Sequence, residues 1–546
     1  MKYRSMLCAL LTILLLSLAC AGCGQETAEP PGEEDPVAEP ESEPDDGIDL
    51  TTMMVGRDMP TTLDPGKAND VCSATPVRAM YETLVGYKGS GTEKLEPVLA
   101  ERWDISSDGL TYTFHLREGV KFHDGTDLDA EAVRFSFARA IELGHAPADI
   151  FKPVGDITVL DAHTLQITLQ YPYAPFLYTL ASQVGPLVVS PTAVREHEED
   201  GDLAEEWLHD HAVGTGPFQF EEWIPGQQVS LIRFDDYWKG WEEHQKVEMI
   251  IIKNVVEPAT VRMLLEKGDL DTSVFSSQDD WPAFEANPDI DLNRNATLNT
   301  LYHMINVISD PLDDVRVREA VSLAYNAQQA LEQVFRGYAY ELRGVLPSNQ
   351  WGYAGDLAPH EYDLDRAAEL LAEAGHPGGG FKMQYGYVEG SEPARQAAEV
   401  WQAGLSNIGV ELEIIPMTWP TLWSAISDPD TAPESYAFYW YPRVADPNDW
   451  LYVMFHSEMQ GSAGYNCIYY ENPRVDELLD AARRTPDRDA RVDMYEEVQH
   501  LIADNYAIIP VAQLDAAYPM RTWVKGYVFN PMYIGTYNFY DMYKSR

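Results

Sequence analysis

Residues 99–141 read LAERWDISSDGLTYTFHLREGVKFHDGTDLDAEAVRFSFARAI, and this stretch decides how the chain is interpreted. Apolar and polar residues alternate on either side of Asp108-Gly109, which is the pattern of a β-hairpin closed by a tight turn. Asp129 then precedes apolar residues at helical spacing and is placed to cap that helix. The stretch therefore predicts a hairpin followed by an amphipathic helix.

The order of residues within this stretch is long and irregular: W-x-x-S-x-D-G-x-T-Y-T-F-x-L-R-x-G-V-K-F-H-D-G. It resembles the signature region of the family 5 extracellular solute-binding proteins, the oligopeptide-, dipeptide- and nickel-binding receptors of bacterial ABC importers. Further blocks similar to those of the family are the T-L-D-P at residues 62–65, the G-T-G-P-F at 214–218, the D-D-V-R-V-R-E-A at 313–320 and the helix-like run at 362–375.

The resemblance implies an α/β protein with the two-lobed periplasmic-binding-protein-like fold, an extra subdomain in the first lobe and a ligand cleft between the lobes. Alternating strand and helix patterns, with a crossing near residue 300 and a return near residue 510, agree with two lobes joined by two segments. The predicted divisions are a lipoprotein signal peptide at 1–23, an acidic tether at 24–49, lobe I at 50–299 plus 510–546 with an inserted subdomain at about 80–210, and lobe II at 300–509.

Several local elements are predicted from their end signals alone. Pro258 and Gly268 bracket a helix, as the preference for proline at the first turn and glycine after the last turn predicts. Asp363 is placed to cap another helix, and Asn472 with the following proline begins a third. An apolar run around residues 299–308 predicts a strand.

The charge balance excludes two kinds of partner. The chain has 88 acidic against 38 basic residues, a formal net charge of −50 and a pI near 4.4. Such a surface repels the phosphate backbone of nucleic acids and does not adsorb to anionic membranes through a basic patch. With 45% hydrophobic residues over 546 positions, the composition is that of a packed globular protein of two or three domains.

The N-terminus has the layout of a secretory signal. Two basic residues precede an apolar run at 6–19 that is too short for a transmembrane helix. The run ends in a sequence that resembles a lipobox, in which Cys23 is the predicted lipidation site and Cys20 the alternative. Residues 25–49 are mostly Glu, Asp and Pro, which predicts a disordered tether.

The cysteines do not predict a disulfide framework, because five are too few. Cys72 and Cys467, the two in the body of the chain, are expected in different lobes and therefore as free thiols.

Residues 438–447 read FYWYPRVADP and are the most informative part of the second lobe. In peptide receptors of the family the comparable segment often reads G-W-x-x-D-Y-P-D-P, and its first Asp resembles a counter-ion for the α-ammonium of a bound peptide. Alignment on Asp446-Pro447 puts Arg443 where that Asp would stand. A guanidinium prefers carboxylates and phosphates and repels an ammonium group. The alternative is that Arg443 points to solvent or pairs with Asp446.

Aromatic residues crowd the same part of the chain. They either line a cleft that stacks on a ligand or pack in the core of the lobe. The predicted ligand-binding residues are Trp419, Trp423, Trp440, Tyr441, Arg443 and Asp446.

Neither an enzyme nor a metal centre is predicted. The sequence has no H-E-x-x-H, no G-x-S-x-G and no paired C-x-x-C. Its histidines are scattered and are expected to be structural. No cofactor is expected.

Together these observations predict a monomeric, extracytoplasmic, lipid-anchored receptor that captures a peptide or similar small solute and presents it to the permease subunits of an ABC transporter. An oligosaccharide or an anionic solute is the alternative ligand on the same fold, suggested by the tryptophans and Arg443. A nickel ligand is disfavoured because no dense histidine cluster is present. From another class, an extracellular peptide sensor or chaperone would share these features.

Overall fold

The computed structural model describes residues 48–546, in which strands and helices alternate along the chain. The strands are β1 (Thr52–Arg57), β2 (Val85–Tyr87), β3 (Leu95–Pro97), β4 (Ala100–Ile105), β5 (Thr111–Leu116), β6 (Val154–Asp161), β7 (Thr164–Leu169), β8 (Phe218–Ile224), β9 (Gln228–Arg233), β10 (Met249–Asn254), β11 (Thr272–Ser273), β12 (Ile290–Ile305), β13 (Ala339–Tyr340), β14 (Lys382–Val388), β15 (Glu411–Met417), β16 (Ser435–Trp440), β17 (Ile508–Arg521), β18 (Val524–Lys525) and β19 (Tyr543–Lys544).

The helices are α1 (Val71–Met80), α2 (Ala130–Leu143), α3 (Phe176–Thr179), α4 (Pro191–His197), α5 (Glu205–Leu208), α6 (Pro258–Lys267), α7 (Trp281–Glu285), α8 (Val315–Leu323), α9 (Ala327–Gln333), α10 (Leu364–Glu373), α11 (Glu392–Asn407), α12 (Trp419–Ile426), α13 (Asn448–Phe455), α14 (Pro473–Arg484) and α15 (Arg488–Ala503). The predicted signal peptide with Cys20 and Cys23, and nearly all of the predicted tether, lie outside the described residues.

The hairpin predicted within residues 99–141 is confirmed. β4 and β5 pair antiparallel, with Ile105 opposite Tyr112. The turn closes at Gly109, whose φ of +68° is in the left-handed region that glycine adopts without strain. The apolar face of β5 is buried, whereas Ile105 is 41% exposed because β4 is the edge strand of its sheet.

The predicted helix starts are confirmed as well. The Asp129 carboxylate accepts a hydrogen bond from the backbone N–H of Ala132 at 2.8 Å and so caps α2. Asp363 and Asn472 cap α10 and α14 in the same way. Each cap satisfies backbone N–H groups that have no partner within the helix.

The framework of the fold is an eleven-stranded sheet in the order β15-β14-β16-β12-β17-β11-β1-β10-β9-β8, with β13 paired to β17. β14 lies parallel to both β15 and β16, while β12 and β17 pair antiparallel in the middle. The strand predicted at 299–308 in fact begins at Ile290, because its first half pairs with the last half of β17.

β12 and β17 carry the chain between the two halves of the sheet. On one side, β1, β10 and the end of β17 share a hydrophobic core. On the other, β14, β16 and the start of β17 share a second core with α8, α10 and α11. The predicted two-lobed α/β fold is confirmed, with both connections in adjacent strands and a register shift between Ala296 and Thr300 of β12.

The part of the chain predicted as an inserted subdomain, about residues 80–210, contains a separate antiparallel sheet, β4-β5-β7-β6, covered by α2. We call this part the inserted segment. Its core does not end at its own boundary, since one hydrophobic cluster joins residues 84–188 to residues 342–508. The ring of Tyr178 stacks on that of Trp351 with 5.9 Å between centroids, and the backbone N–H of Ala174 donates to the carbonyl of Arg483 at 2.7 Å. The inserted segment therefore packs directly on the half of the molecule that holds β16.

Cys72 and Cys467 are free thiols, as predicted. Among residues 48–546, no helix has both the length and the apolar character needed to cross a bilayer.

Candidate ligand-binding site

Three parallel strands of the second half end at the same edge of the sheet. β14 ends at Val388, β15 at Met417 and β16 at Trp440. In open α/β sheets the crevice beyond the carboxyl ends of parallel strands is the place where ligands bind. Trp440 also pairs with Thr300 of β12, so this edge lies where the chain crosses between the lobes.

A cavity of about 610 Å³ opens at this edge. This volume lies within the range of small-molecule sites. The segments that follow the three strands supply much of its wall. Its lining residues are Val388, Ser391, Trp419, Ala437, Phe438, Tyr439, Trp440, Tyr441, Arg443 and Tyr465. We call it the β16 pocket.

Four of the six predicted ligand-binding residues meet in the β16 pocket: Trp419, Trp440, Tyr441 and Arg443. Trp419 and Tyr441 are 45% and 58% exposed, which is unusual for large aromatic side chains. Trp440 is buried, and its ring meets that of Tyr465 edge-on at 5.3 Å. The pocket therefore combines a packed aromatic base with two aromatic rings open to solvent.

The Arg443 guanidinium is the charged group of the pocket, and its side chain is 64% exposed. It lies 3.5 Å from the Asp449 carboxylate, which also accepts a hydrogen bond from the backbone N–H of Arg443 at 2.8 Å. The acid that Arg443 pairs with is thus Asp449 of α13 and not Asp446. Burial raises the pKa of Asp449, while the nearby guanidinium opposes that rise.

Asp446 does not line the β16 pocket, because its carboxylate is fully buried. It accepts hydrogen bonds of 2.6 and 2.7 Å from Nη2 of Arg491, and Tyr495 donates to it at 3.3 Å. Burial lowers the pKa of Arg491, but the Asp446 carboxylate outweighs that effect and raises it above its usual value. A direct ligand contact from Asp446 would require an accessible carboxylate. Here it instead fixes the loop that carries Arg443.

The same loop is held at Ala445 from two sides. Its carbonyl accepts a hydrogen bond from the Trp351 indole N–H at 2.7 Å. Its backbone N–H donates to the Tyr87 hydroxyl at 3.3 Å, and Tyr87 belongs to the inserted segment. The loop between β16 and α13 is therefore anchored at Ala445 and Asp446, whereas Tyr441 and Arg443 remain exposed.

Trp423 lies behind the pocket rather than on its wall. Its ring packs against Trp419 at 5.7 Å and Tyr465 at 5.2 Å. Its position supports the orientation of Trp419 without forming part of the lining.

Two histidines of the described region lie in packed surroundings: the His303 ring is stacked on Trp401, and the His123 ring meets Phe234 edge-on. Burial lowers the pKa of His303 to about 3 and that of His123 to about 4, so both rings are neutral near pH 7. Within residues 48–546, no group of three or more His, Cys, Asp or Glu side chains is arranged to hold a metal ion.

Sequence reasoning missed part of the pocket wall. Val388 is the last residue of β14 and Ser391 follows it, so both were detectable as residues at the carboxyl end of a parallel strand. Tyr465 had no such signal, because it reaches the pocket from an irregular segment after α13. Asp449 and Arg491 had no sequence signal either, because the role of each depends on the ion pair that it forms in the folded chain.

The sequence profile of the family described as "Bacterial extracellular solute-binding proteins, family 5 Middle" matches residues 94–462. The chain is also 30% identical, over 491 residues, to the Probable D,D-dipeptide-binding periplasmic protein DdpA of Escherichia coli (strain K12). That alignment covers 89% of this chain and 92% of the relative.

Solved structures give the same picture. The structure of HbpA2 from Haemophilus parasuis superposes with a TM-score of 0.82 at 28% identity, over 91% of this chain and 100% of the other. DppA from Helicobacter pylori in complex with the peptide STSA superposes with a TM-score of 0.72 at 26% identity, over 91% and 98% of the two chains.

Proposed function

The chain belongs to family 5 of the bacterial extracellular solute-binding proteins, and we propose that it captures a peptide or similar small solute in the β16 pocket. The family and its relatives make it a substrate-binding receptor for import by an ABC transporter, located outside the cytoplasm. The proposal adds the location of the ligand and the residues that contact it. In this proposal the protein acts as a monomer and releases its ligand chemically unaltered.

The observation that carries the proposal is the position of the β16 pocket. It lies at the carboxyl ends of β14 and β16, beside the strand that crosses between the lobes. Two large aromatic rings, Trp419 and Tyr441, are exposed there. A ligand that covers them removes apolar surface from water, which favours binding and closure of the lobes around the ligand.

The predicted site residues take different proposed roles, and that of Trp423 is to support the ring of Trp419 from behind. Trp419, Tyr441 and Arg443 contact the ligand, and Trp440 forms the base of the pocket. Asp446 is a positioning residue that holds the loop through Arg491. We retain residues 50–299 plus 510–546 and residues 300–509 as the two lobes.

The ligand is tested by native mass spectrometry of the purified protein. We expect a bound species of small mass, and calorimetry with that species at micromolar protein to give one site per chain. The substitution Trp419→Ala weakens binding at least tenfold, because it removes an aromatic wall worth roughly 1.5–3 kcal/mol. The matched control is Trp523→Ala, a partly buried tryptophan of the other lobe that packs beside Lys544.

The proposal fails if the chain binds no solute, or if the solute is consumed on incubation. A sensor or chaperone of the same fold would also bind a solute. It differs in making no solute-dependent contact with the permease subunits of an ABC importer. Pull-down of candidate permease subunits, with and without the solute, tests for that contact.

We further propose that Cys23 carries a lipid that holds the receptor to the outer face of a membrane. Stable anchoring requires more than one acyl chain on that cysteine. The substitution Cys23→Ser is expected to release the protein into the soluble extracytoplasmic fraction and to abolish labelling by a fatty-acid analogue. Cys20→Ser is the matched control and leaves both unchanged. The reverse result would move the anchor to Cys20, and labelling of neither would end the proposal.

A further inference from the structure

The charge among the side chains that line the β16 pocket is positive only. Among the described residues that line it, Arg443 is the one charged side chain, and none is Asp or Glu. The acid that pairs with Arg443 is Asp449, whose side chain is only 8% exposed. Its oxygens are engaged by the Arg443 backbone N–H at 2.8 Å and the Arg443 guanidinium at 3.5 Å. Among its lining residues the pocket therefore offers a cation to a ligand and no carboxylate.

The Arg443 guanidinium keeps binding capacity. Within residues 48–546 it makes one ion pair, and the distance of 3.5 Å is longer than the roughly 2.7–2.9 Å of a strong charge-assisted hydrogen bond. A guanidinium has five N–H donors in a planar fork that matches a carboxylate. With 64% of the side chain exposed, most of that fork is open to an incoming anion.

One donor beneath the pocket surface lacks a partner. The indole N–H of Trp440 is buried, and no acceptor within residues 48–546 lies within hydrogen-bonding distance of it. Trp440 lines the pocket while being only 5% exposed. An unpaired buried donor carries a desolvation penalty, so the base of the pocket is polar at one point although its surface is aromatic.

Apart from Ser391, the remaining wall is aromatic or aliphatic. Trp419 and Tyr441 present exposed rings, and Phe438 and Val388 add apolar surface. Such a wall matches a flat or branched apolar group next to the anionic group, since aromatic rings stack on both.

From these observations we propose that the β16 pocket selects organic anions: amine-free or amine-blocked carboxylates with an apolar body. This inference rests on the proposed function, since it names the ligand class of that pocket. The carboxylate binds the guanidinium of Arg443, and the apolar body lies against the exposed rings of the pocket, Trp419 and Tyr441. A free α-ammonium finds no counter-ion in the pocket and is repelled by Arg443, so ordinary zwitterionic peptides are disfavoured.

The test uses four matched probes in calorimetry near pH 7. They are the dipeptide leucyl-phenylalanine, its N-acetyl derivative, its C-terminal amide, and the N-acetylated amide. We expect the N-acetylated acid to bind most tightly, and amidation of its carboxylate to weaken binding at least tenfold. The unblocked amide, which carries only a positive charge, binds most weakly.

The substitution Arg443→Gln is expected to abolish the difference between acid and amide. Because it also removes the cation beside the buried Asp449, binding is compared at temperatures where the variant is folded. Arg443→Lys keeps the charge but not the planar fork, and retains part of the preference. The matched control is Arg102→Gln: Arg102 is also 64% exposed and lies 3.3 Å from an acid, Asp104, but it is on the edge strand β4. This control keeps the full preference.

Three results would overturn the inference. They are tighter binding of the unblocked dipeptide than of its N-acetyl form, equal binding of acid and amide, and no binding of any of the four probes. None of them removes the proposed function, which stands or falls separately on whether a solute co-purifies. A co-purified solute that lacks an anionic group would overturn the inference and leave the receptor function intact.

Discussion

Replacing Arg491 with glutamine is expected to lower the free energy of unfolding by about 3–5 kcal/mol, the cost of leaving a buried charge without its partner. Arg491 and Asp446 are both almost fully buried and are joined by hydrogen bonds of 2.6 and 2.7 Å. Glutamine cannot neutralise the carboxylate, and Asp446 must then protonate or draw in water. Urea denaturation monitored by tryptophan fluorescence measures the change.

The same substitution is expected to weaken ligand binding, although Arg491 does not line the pocket. Asp446 accepts a hydrogen bond from the backbone N–H of Asn448 and so fixes the turn into α13. Loss of that anchor lets the loop that carries Arg443 take up several positions. The affinity for the ligand should therefore fall even without urea, under conditions where the protein remains folded.

Two variants separate this explanation from a general effect of losing an arginine. Arg474→Gln removes an arginine that pairs with Glu497 at 2.8 Å on the surface, and it should change stability little because the pair is solvated. The double variant Asp446→Asn with Arg491→Gln strands no charge and should recover part of the loss. If Arg491→Gln lowered the free energy of unfolding as little as Arg474→Gln, the buried pair would not be what holds the loop.

Replacing Trp440 with alanine is expected to cost about 3–5 kcal/mol of stability and at least tenfold in ligand affinity. The stability loss follows from removing a buried aromatic side chain and leaving a cavity. The affinity loss follows because Trp440 forms the base of the β16 pocket and packs against Phe438 and Tyr465. Denaturation and calorimetry with the co-purified solute measure the two effects.

Trp401→Ala is the matched control for this prediction. Trp401 is fully buried in the core that α11 forms with α8, and its indole N–H donates to the carbonyl of Val321 at 2.8 Å. It should cost a similar amount of stability and leave affinity unchanged at temperatures where the protein is folded. Equal losses of affinity in the two variants would mean that destabilisation, and not the pocket, governs binding.

Local patterns predicted the hairpin β4–β5 and the start of α2 because these depend on residues close in sequence. Asp129 caps α2 through an N–H three residues away, and the hairpin turn at Gly109 joins strands five residues apart. The start of β12 was missed because its first residues alternate with Asp and Asn, and only pairing with β17 makes them a strand.

Sequence alone determined the family resemblance, the two-lobed α/β fold and the presence of Trp419, Trp440, Tyr441 and Arg443 in one region, since these follow from short-range order and a long motif. Tertiary structure alone decided that Asp446 is withdrawn into a buried pair with Arg491, 45 residues away, and that Asp449 is the acid beside Arg443. The reason is physical: both carboxylates are buried, and which arginine each of them meets depends on how the helices after β16 pack, a choice that the local sequence leaves open.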